Sequence, residues 1–131
     1  MLDRDLAHWE THGFGPWIWQ DASTGEPVGR GGLAVVMITG KPETELFYAL
    51  APDRWGRGLG TEVAEGALGV AFGDLGLPDV VAYTVAGNRA SRRIIEKVGF
   101  RFERRIVHAG VPHLLFRRRN PAAPRADRRY V

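Results

Sequence analysis

Residues 53–68 read DRWGRGLGTEVAEGAL, with Gly56, Gly58 and Gly60 at alternate positions directly ahead of a segment patterned like a helix. A glycine-rich turn leading from a strand into a helix N-terminus aims several backbone N–H groups at one spot, and the helix dipole adds positive potential there. Such a turn suits an anion. Gly58 and Gly60 let the backbone approach phosphate oxygens without Cβ collisions, and Arg57 and Arg54 add charged donors. A diphosphate is the natural guest, although a tight turn with close helix packing would use the same glycines. Two familiar diphosphate patterns do not fit. The dinucleotide pattern G-x-G-x-x-G needs a glycine at Thr61, and the Walker A pattern needs a lysine after its last glycine.

The elements around this turn follow from periodicity. GPWIWQD, VGRGGLAVVMI and TELFYALA are rich in aromatic and β-branched residues and are separated by the turn sequences DASTGEP and TGKPE, which predicts an antiparallel three-strand meander. The glycines of the second strand indicate a bulge or close packing. From Leu59 to Phe72 the apolar residues cluster on one helical face, with Glu62 and Glu65 near the positive end of the helix. DVVAYTVA is the next strand, so the path from TELFYALA through the helix is a β-α-β unit with parallel strands. In NRASRRIIEKVGF, Asn88 caps a second helix, Ile94, Ile95 and Val98 face the core, and Gly99 with Phe100 closes its end. RFERRIVH and HLLFRR form a final hairpin across AGVP, and the first ten residues fit a short helix ending at His12-Gly13. The order β-β-β-α-β-α-β-β is an α+β arrangement, a mixed sheet with helices on its faces.

With 131 residues, 44% hydrophobic and 25% charged, the chain suits one globular domain. It contains no apolar run near the roughly 20 residues of a membrane span, and MLDRDLAHWE carries charges where a signal peptide would be apolar. The expectation is a cytoplasmic protein without a membrane partner. The absence of cysteine excludes disulfides, thiolate metal sites and a cysteine nucleophile. Six arginines, Arg117, Arg118, Arg119, Arg125, Arg128 and Arg129, stand against Asp127 alone in the last fifteen residues, whereas the rest of the chain is slightly acidic. Residues 1–118 are therefore read as the domain and 119–131 as a basic, Arg/Pro-rich tail. A solvated tail is favoured over a nucleic-acid-binding one, because the body itself is not basic.

The order and spacing of WGRGLGTE, then NRAS, then EKVGF resemble the GNAT superfamily of N-acetyltransferases, most closely its RimJ/RimL-like branch, over most of the chain from HWETHGFGPW to HLLFRR. The resemblance implies a GNAT-like acyl-CoA acyltransferase fold, a mixed sheet splayed between its fourth and fifth strands with acetyl-CoA in the splay. It implies that the backbones of Trp55, Gly56, Arg57, Gly58, Leu59, Gly60 and Thr61 hold the pyrophosphate, and that Ala49, Leu50 and Ala51 run beside the pantetheine arm. Two departures stand out. Trp55 replaces the Gln or Arg usual in the family, and the chain begins too late for the family's first strand and helix, which help to wall the acceptor pocket. A start internal to a longer product, a partner filling the gap and a reduced form with an open acceptor side all fit this.

Acetyl transfer from a thioester to an amine needs a neutral amine, a stabilised oxyanion and a stabilised leaving thiolate. By analogy, the Leu50 N–H polarises the acetyl oxygen. Glu45, on the strand flanking the cleft, is the candidate base, acting directly or through water; an exposed carboxylate or a structural hydrogen bond is the competing role. Ser91 occupies the place of a serine proposed near the sulfur in the RimL-like branch, as a hydrogen-bond donor to the thiolate, or else it bonds backbone near Asn88. Asn88 is both a helix cap and a candidate coenzyme contact. His108 and His113 near the closing hairpin are side chains able to exchange protons, and Tyr83 fits either the site or the core. The expected function is direct, metal-free acetyl transfer from acetyl-CoA to a primary amine, at a protein N-terminus or on a small molecule. A non-catalytic acetyl-CoA-binding domain is the alternative, and a homodimer is compatible with both.

Overall fold

The computed structural model describes residues 13, 15–20, 23–50 and 58–122. The expected N-terminal helix, residues 51–57 of the turn and residues 123–131 of the tail lie outside the described residues. Six strands and two helices follow in the order β1 (Pro16–Gln20), β2 (Pro27–Ile38), β3 (Lys41–Leu50), α1 (Leu59–Gly69), β4 (Asp79–Thr84), α2 (Arg89–Lys97), β5 (Arg101–His108) and β6 (Val111–Arg119). A π-helical turn, Val70–Asp74, extends α1. The expected single helix through Phe72 thus changes register over its last residues: the Leu75 N–H reaches back five residues to the Val70 carbonyl at 2.9 Å, the bond that defines a π turn.

The sheet runs β1-β2-β3-β4-β6-β5. β1, β2 and β3 form the antiparallel meander, β4, β6 and β5 pair antiparallel, and β3 and β4 join the two halves in parallel. The β2–β3 and β5–β6 hairpins each turn on two residues, Thr39-Gly40 with φ 50° and 77° and Ala109-Gly110 with φ 52° and 76°. Positive φ at both central positions matches the right-handed twist of the flanking strands. For that reason the turns are shorter than TGKPE and AGVP suggest, and Lys41 and Val111 already belong to strands. Both expectations for the β2 glycines hold. The register of β1 on β2 shifts between Trp19 and Gln20, and a Cβ on Gly31 would sit 2.6 Å from the Phe47 carbonyl oxygen, so the strands approach closely there.

Alternation along the strands sorts the sheet into two faces. On one, Leu33, Leu46, Val80, Ala82 and Phe116 pack with Ala64, Ala67 and Leu68 of α1, with Ile95 of α2 and with its C-cap Val98. α2 is fitted to this core by its ends. The Asn88 side chain accepts from the Ser91 N–H at 3.1 Å, and Gly99 at φ 94° closes the helix while the Phe100 N–H bonds the Ile95 carbonyl at 3.1 Å and its ring is buried. On the other face Ile38, Val81, Ile106 and Leu115 form a second, smaller cluster flanked by Val36 and Tyr83. Beyond β6, Asn120 is buried, with its amide nitrogen donating to the Leu77 carbonyl at 2.9 Å and its backbone N–H to the Pro78 carbonyl.

Candidate active site

The joint between the two halves of the sheet is the narrowest part of the architecture. β2 and β3 pair over ten residues from Ile38↔Lys41 to Gly29↔Leu50, and β4 and β6 over six, yet β3 and β4 share the single register pair Glu45↔Val81. Past that pair the strands diverge. The splay expected between the family's fourth and fifth strands falls here, between β3 and β4, and the edge of β3 from Leu46 to Leu50 borders it.

Glu45 stands at the apex of the opening. It shares its face with its register partner Val81, hence with Tyr83, and with Ala34 across β2. Burial pushes its carboxyl up to about 7 although a hydrogen bond with Tyr83 pulls the other way. The Tyr83 phenol is in turn held above its ordinary range by burial and by the Glu45 charge and hydrogen bond. Tyr83 therefore belongs to the site and to the smaller cluster at once. Its Oη lies 3.3 Å from His108 Nε2, and its ring centroid is 4.6 Å from that of His108 and 5.7 Å from that of His113. The two histidines of the hairpin, separate in the sequence from every other candidate, converge on the candidate base through this tyrosine.

Ser91 lies on the other face. Its Oγ is 3.3 Å from Tyr48 Oη, and burial raises the Tyr48 phenol while the Ser91 hydrogen bond opposes the rise. Glu45 and Ser91 thus flank the opening from opposite sides of the sheet, and no hydrogen bond joins them among the described residues. Tyr48 was not a sequence candidate. The alternation of TELFYAL puts it on the helix-facing side of β3, but its partner is 43 residues away and no local spacing announces the pair. The Asn88 carbonyl oxygen is engaged as the α2 cap, which leaves its amide nitrogen for a further contact.

At the α1 end of the opening, Gly58 is the N-cap with φ 74° and ψ 3°, a left-handed conformation that strains other residues, and no side chain among the described residues caps the helix. The Glu62 N–H bonds the Gly58 carbonyl at 3.1 Å, so Leu59, Gly60 and Thr61 form a regular first turn whose N–H groups point out of the helix end. Ala49 is exposed beside the splay, and Leu50 is the last residue of β3. Ala51, Trp55, Gly56 and Arg57 lie outside the described residues.

The closed end of the joint is held by charge. Arg117 of β6 donates to Glu43 Oε2 at 2.8 Å, to Asp79 Oδ2 at 3.0 Å and to Glu103 Oε1 at 2.6 Å, linking β3, β4, β5 and β6 on the Glu45 face. Hydrogen bonds from Arg117 hold the Glu43 and Glu103 carboxyls below their usual range. No cluster of three or more His, Cys, Asp or Glu able to hold a metal ion occurs among the described residues, and none of their helices is long and apolar enough to cross a membrane.

Comparison with known proteins accords with this geometry. The family model of the acetyltransferase (GNAT) domain matches residues 1–101. The uncharacterized protein YkkB of Bacillus subtilis is 29% identical over 109 residues, 83% of this chain and 63% of that protein. The FsC-acetyl coenzyme A-N(2)-transacetylase of Aspergillus fumigatus is 36% identical over 93 residues, 66% of this chain and 39% of that protein. The chain thus spans less than two thirds of the length of either curated relative. A solved acetyltransferase from Agrobacterium tumefaciens superposes with a TM-score of 0.76 at 29% identity, covering 87% of this chain and 66% of that one. A sheet splayed beside a glycine-capped helix, together with a family match over residues 1–101, makes this chain a member of the GNAT acetyltransferase domain family, which binds acetyl-CoA.

Proposed function

We propose that the chain is an N-acetyltransferase that moves an acetyl group from acetyl-CoA to a primary amine by direct attack in a ternary complex. Acetyl-CoA supplies the thioester carbonyl as electrophile. The observation that carries the reading is Glu45, a partly buried carboxyl at the one register pair joining β3 to β4, pushed up to about 7. A general base works best when its pKa lies near the working pH. Glu45 takes the amine proton, directly or through water, and the Leu50 N–H polarises the acetyl oxygen. Ser91, backed by the Tyr48 hydroxyl at 3.3 Å, donates to the departing sulfur from the other face. The turn from Trp55 to Thr61 holds the pyrophosphate, with Gly58 supplying the left-handed cap. Ala49, Leu50 and Ala51 accompany the pantetheine arm, and Asn88 adds a contact through its free amide nitrogen.

The order of WGRGLGTE, NRAS and EKVGF supports the RimJ/RimL-like branch. The Aspergillus fumigatus relative, whose name states acetyl coenzyme A and transacetylase activity, supports the same donor here. The acceptor in this reading is a protein N-terminus or a small amine, and the compartment is the cytoplasm.

Two measurements test it. Acetyl-CoA or CoA at 100 times its dissociation constant should stabilise the protein by about 2.7 kcal/mol, seen as a saturable rise in Tm that NAD and ATP do not produce. Across a panel of amines, kcat/KM should rise with unit slope up to about pH 7, and Glu45→Gln should remove that limb and cost about 100-fold or more. Coenzyme binding without turnover of any amine would instead establish the non-catalytic acetyl-CoA-binding domain.

A further inference from the structure

We infer that Tyr83 and His108 form the outlet through which the proton taken from the amine by Glu45 leaves the cleft. The inference rests on the proposed role of Glu45 and extends it to residues that no part of acetyl transfer itself requires. A base at the apex of a narrow opening must be cleared of its proton after every turnover, and in the proposed ternary complex the reactants would cover the solvent contact that Glu45 keeps. The structure offers a way round them.

Tyr83 lies on the face of Glu45, two residues beyond its register partner Val81, where the two groups perturb one another, and its Oη is 3.3 Å from His108 Nε2. The three residues come from β3, β4 and β5, with β6 lying between the last two strands. β6 contributes His113, whose ring stands edge-on to both neighbours, 5.7 Å from Tyr83 and 5.5 Å from His108. His113 Nδ1 is 2.8 Å from the Val111 carbonyl, so Nδ1 carries the hydrogen and the ring is fixed in place. Among the described residues this face also carries the Arg117 cluster with Glu43, Asp79 and Glu103, which are engaged with one another, and the cations Lys41 beside Glu43, Arg104 bonded to Thr39 and Arg30 over the Phe47 ring. His108 is only partly buried and so meets solvent.

The transfers balance as follows. The amine nitrogen bonds the acetyl carbon as the carbon–sulfur bond breaks, its N–H bond opens, and the proton moves to Glu45. Glu45 then passes a proton to Tyr83 Oη while the Tyr83 hydroxyl proton moves to Nε2 of His108 in its Nδ1–H tautomer. The products are the Glu45 carboxylate, an intact phenol and an imidazolium that releases its proton to water. Burial and the Glu45 charge keep the Tyr83 phenol protonated, which suits a group that hands protons on without holding a charge.

Steady-state kinetics on the full chain, with acetyl-CoA and an accepted amine, test the relay beside Glu45→Gln. His108→Ala should lower kcat by about 10-fold, less than the roughly 100-fold or more of the base itself, with the amine KM unchanged. Added imidazole should restore the rate in proportion to its concentration. Tyr83→Phe should show a similar loss that imidazole does not repair, because the link to Glu45 is broken. If His108→Ala unfolds, His108→Gln serves the same comparison, and Tm values for every variant separate lost folding from lost transfer. Full kcat in the His108 and Tyr83 variants, with Glu45→Gln inactive, would overturn the relay and leave the base standing. Loss of kcat without imidazole rescue in a folded His108→Ala would also overturn it, since a packing role predicts that result. Turnover unchanged in Glu45→Gln, or absent in wild type with coenzyme bound, would overturn the base and the relay together.

Discussion

In the proposed role Glu45 faces two demands that oppose one another, since a base needs its charge and burial penalises that charge. The outcome, a carboxyl pushed up to about 7 from 4.5, is also a statement about folding. The folded-state value lies above the unfolded one, so the folded form holds a proton that the unfolded chain has released. Its stability contribution is therefore full below pH 4.5 and is lost as pH rises through about 7. Replacing Glu45 by Gln should leave stability unchanged near pH 4 and raise it at pH 8, by at most about 3 kcal/mol for a group that keeps some solvent contact. Urea unfolding at the two pH values measures this, and equal stability changes at both would mean that Glu45 is not desolvated. Loss of activity with gain of stability is the usual signature of a functional site. The sequence named Glu45 from its place on a strand; the source of its perturbation, burial at the joint of the folded sheet, was not visible there.

Among the elements, α2 is held most clearly by its ends, because the polar groups of a short helix are largely terminal. Asn88→Ala removes the acceptor of the Ser91 N–H and should cost about 1 kcal/mol of stability. Asn88→Ser keeps the cap and removes the amide nitrogen. If that nitrogen contacts the coenzyme, the serine variant should retain its Tm in the absence of ligand while binding CoA several-fold more weakly. Thermal unfolding with and without CoA separates the roles, and equal CoA affinity in Asn88→Ser would restrict Asn88 to capping. Caps, turns and strands such as these were legible because they depend on residues a few positions apart. NRAS before an apolar stripe and VGF after it specify a start and a stop locally. The π turn after α1 was not legible, since a five-residue bond and a four-residue bond use the same apolar residues.

At the scale of the whole molecule, the backbone ladder joins the two half-sheets at one register pair among the described residues, and the Arg117 ion cluster and the shared apolar clusters hold them together beside it. Opening the sheet for a ligand is compatible with folding only if the closed end is secured, and Arg117 secures it from four strands at once. Glu43, the most buried partner with 8% of its side chain exposed, would be left as an unpaired acid if Arg117 became Met. We expect a loss of about 3 kcal/mol at pH 7, the range for breaking a buried pair. The wild-type pH dependence follows from the sign of the shifts. Glu43 and Glu103 lie below 4.5 in the folded state, so their contribution is present above pH 4.5 and is lost as pH falls through the lower folded-state values. The penalty of Arg117→Met should therefore shrink in acid. Unfolding curves from pH 7 to 3 test this, and a penalty independent of pH would show that Arg117 acts by packing alone.

The sequence by itself determined the order of the described elements, the meander, the parallel crossover and the caps of α2. Each is a consequence of periodicity, turn chemistry or helix-end polarity within a few residues. Tertiary structure alone decided which chemical groups meet. Tyr48 reaches Ser91, Tyr83 joins Glu45 to His108, and Arg117 gathers Glu43, Asp79 and Glu103. Those meetings depend on strand order and register, and a sheet that inserts β6 between β4 and β5 brings together residues that no spacing along the chain relates.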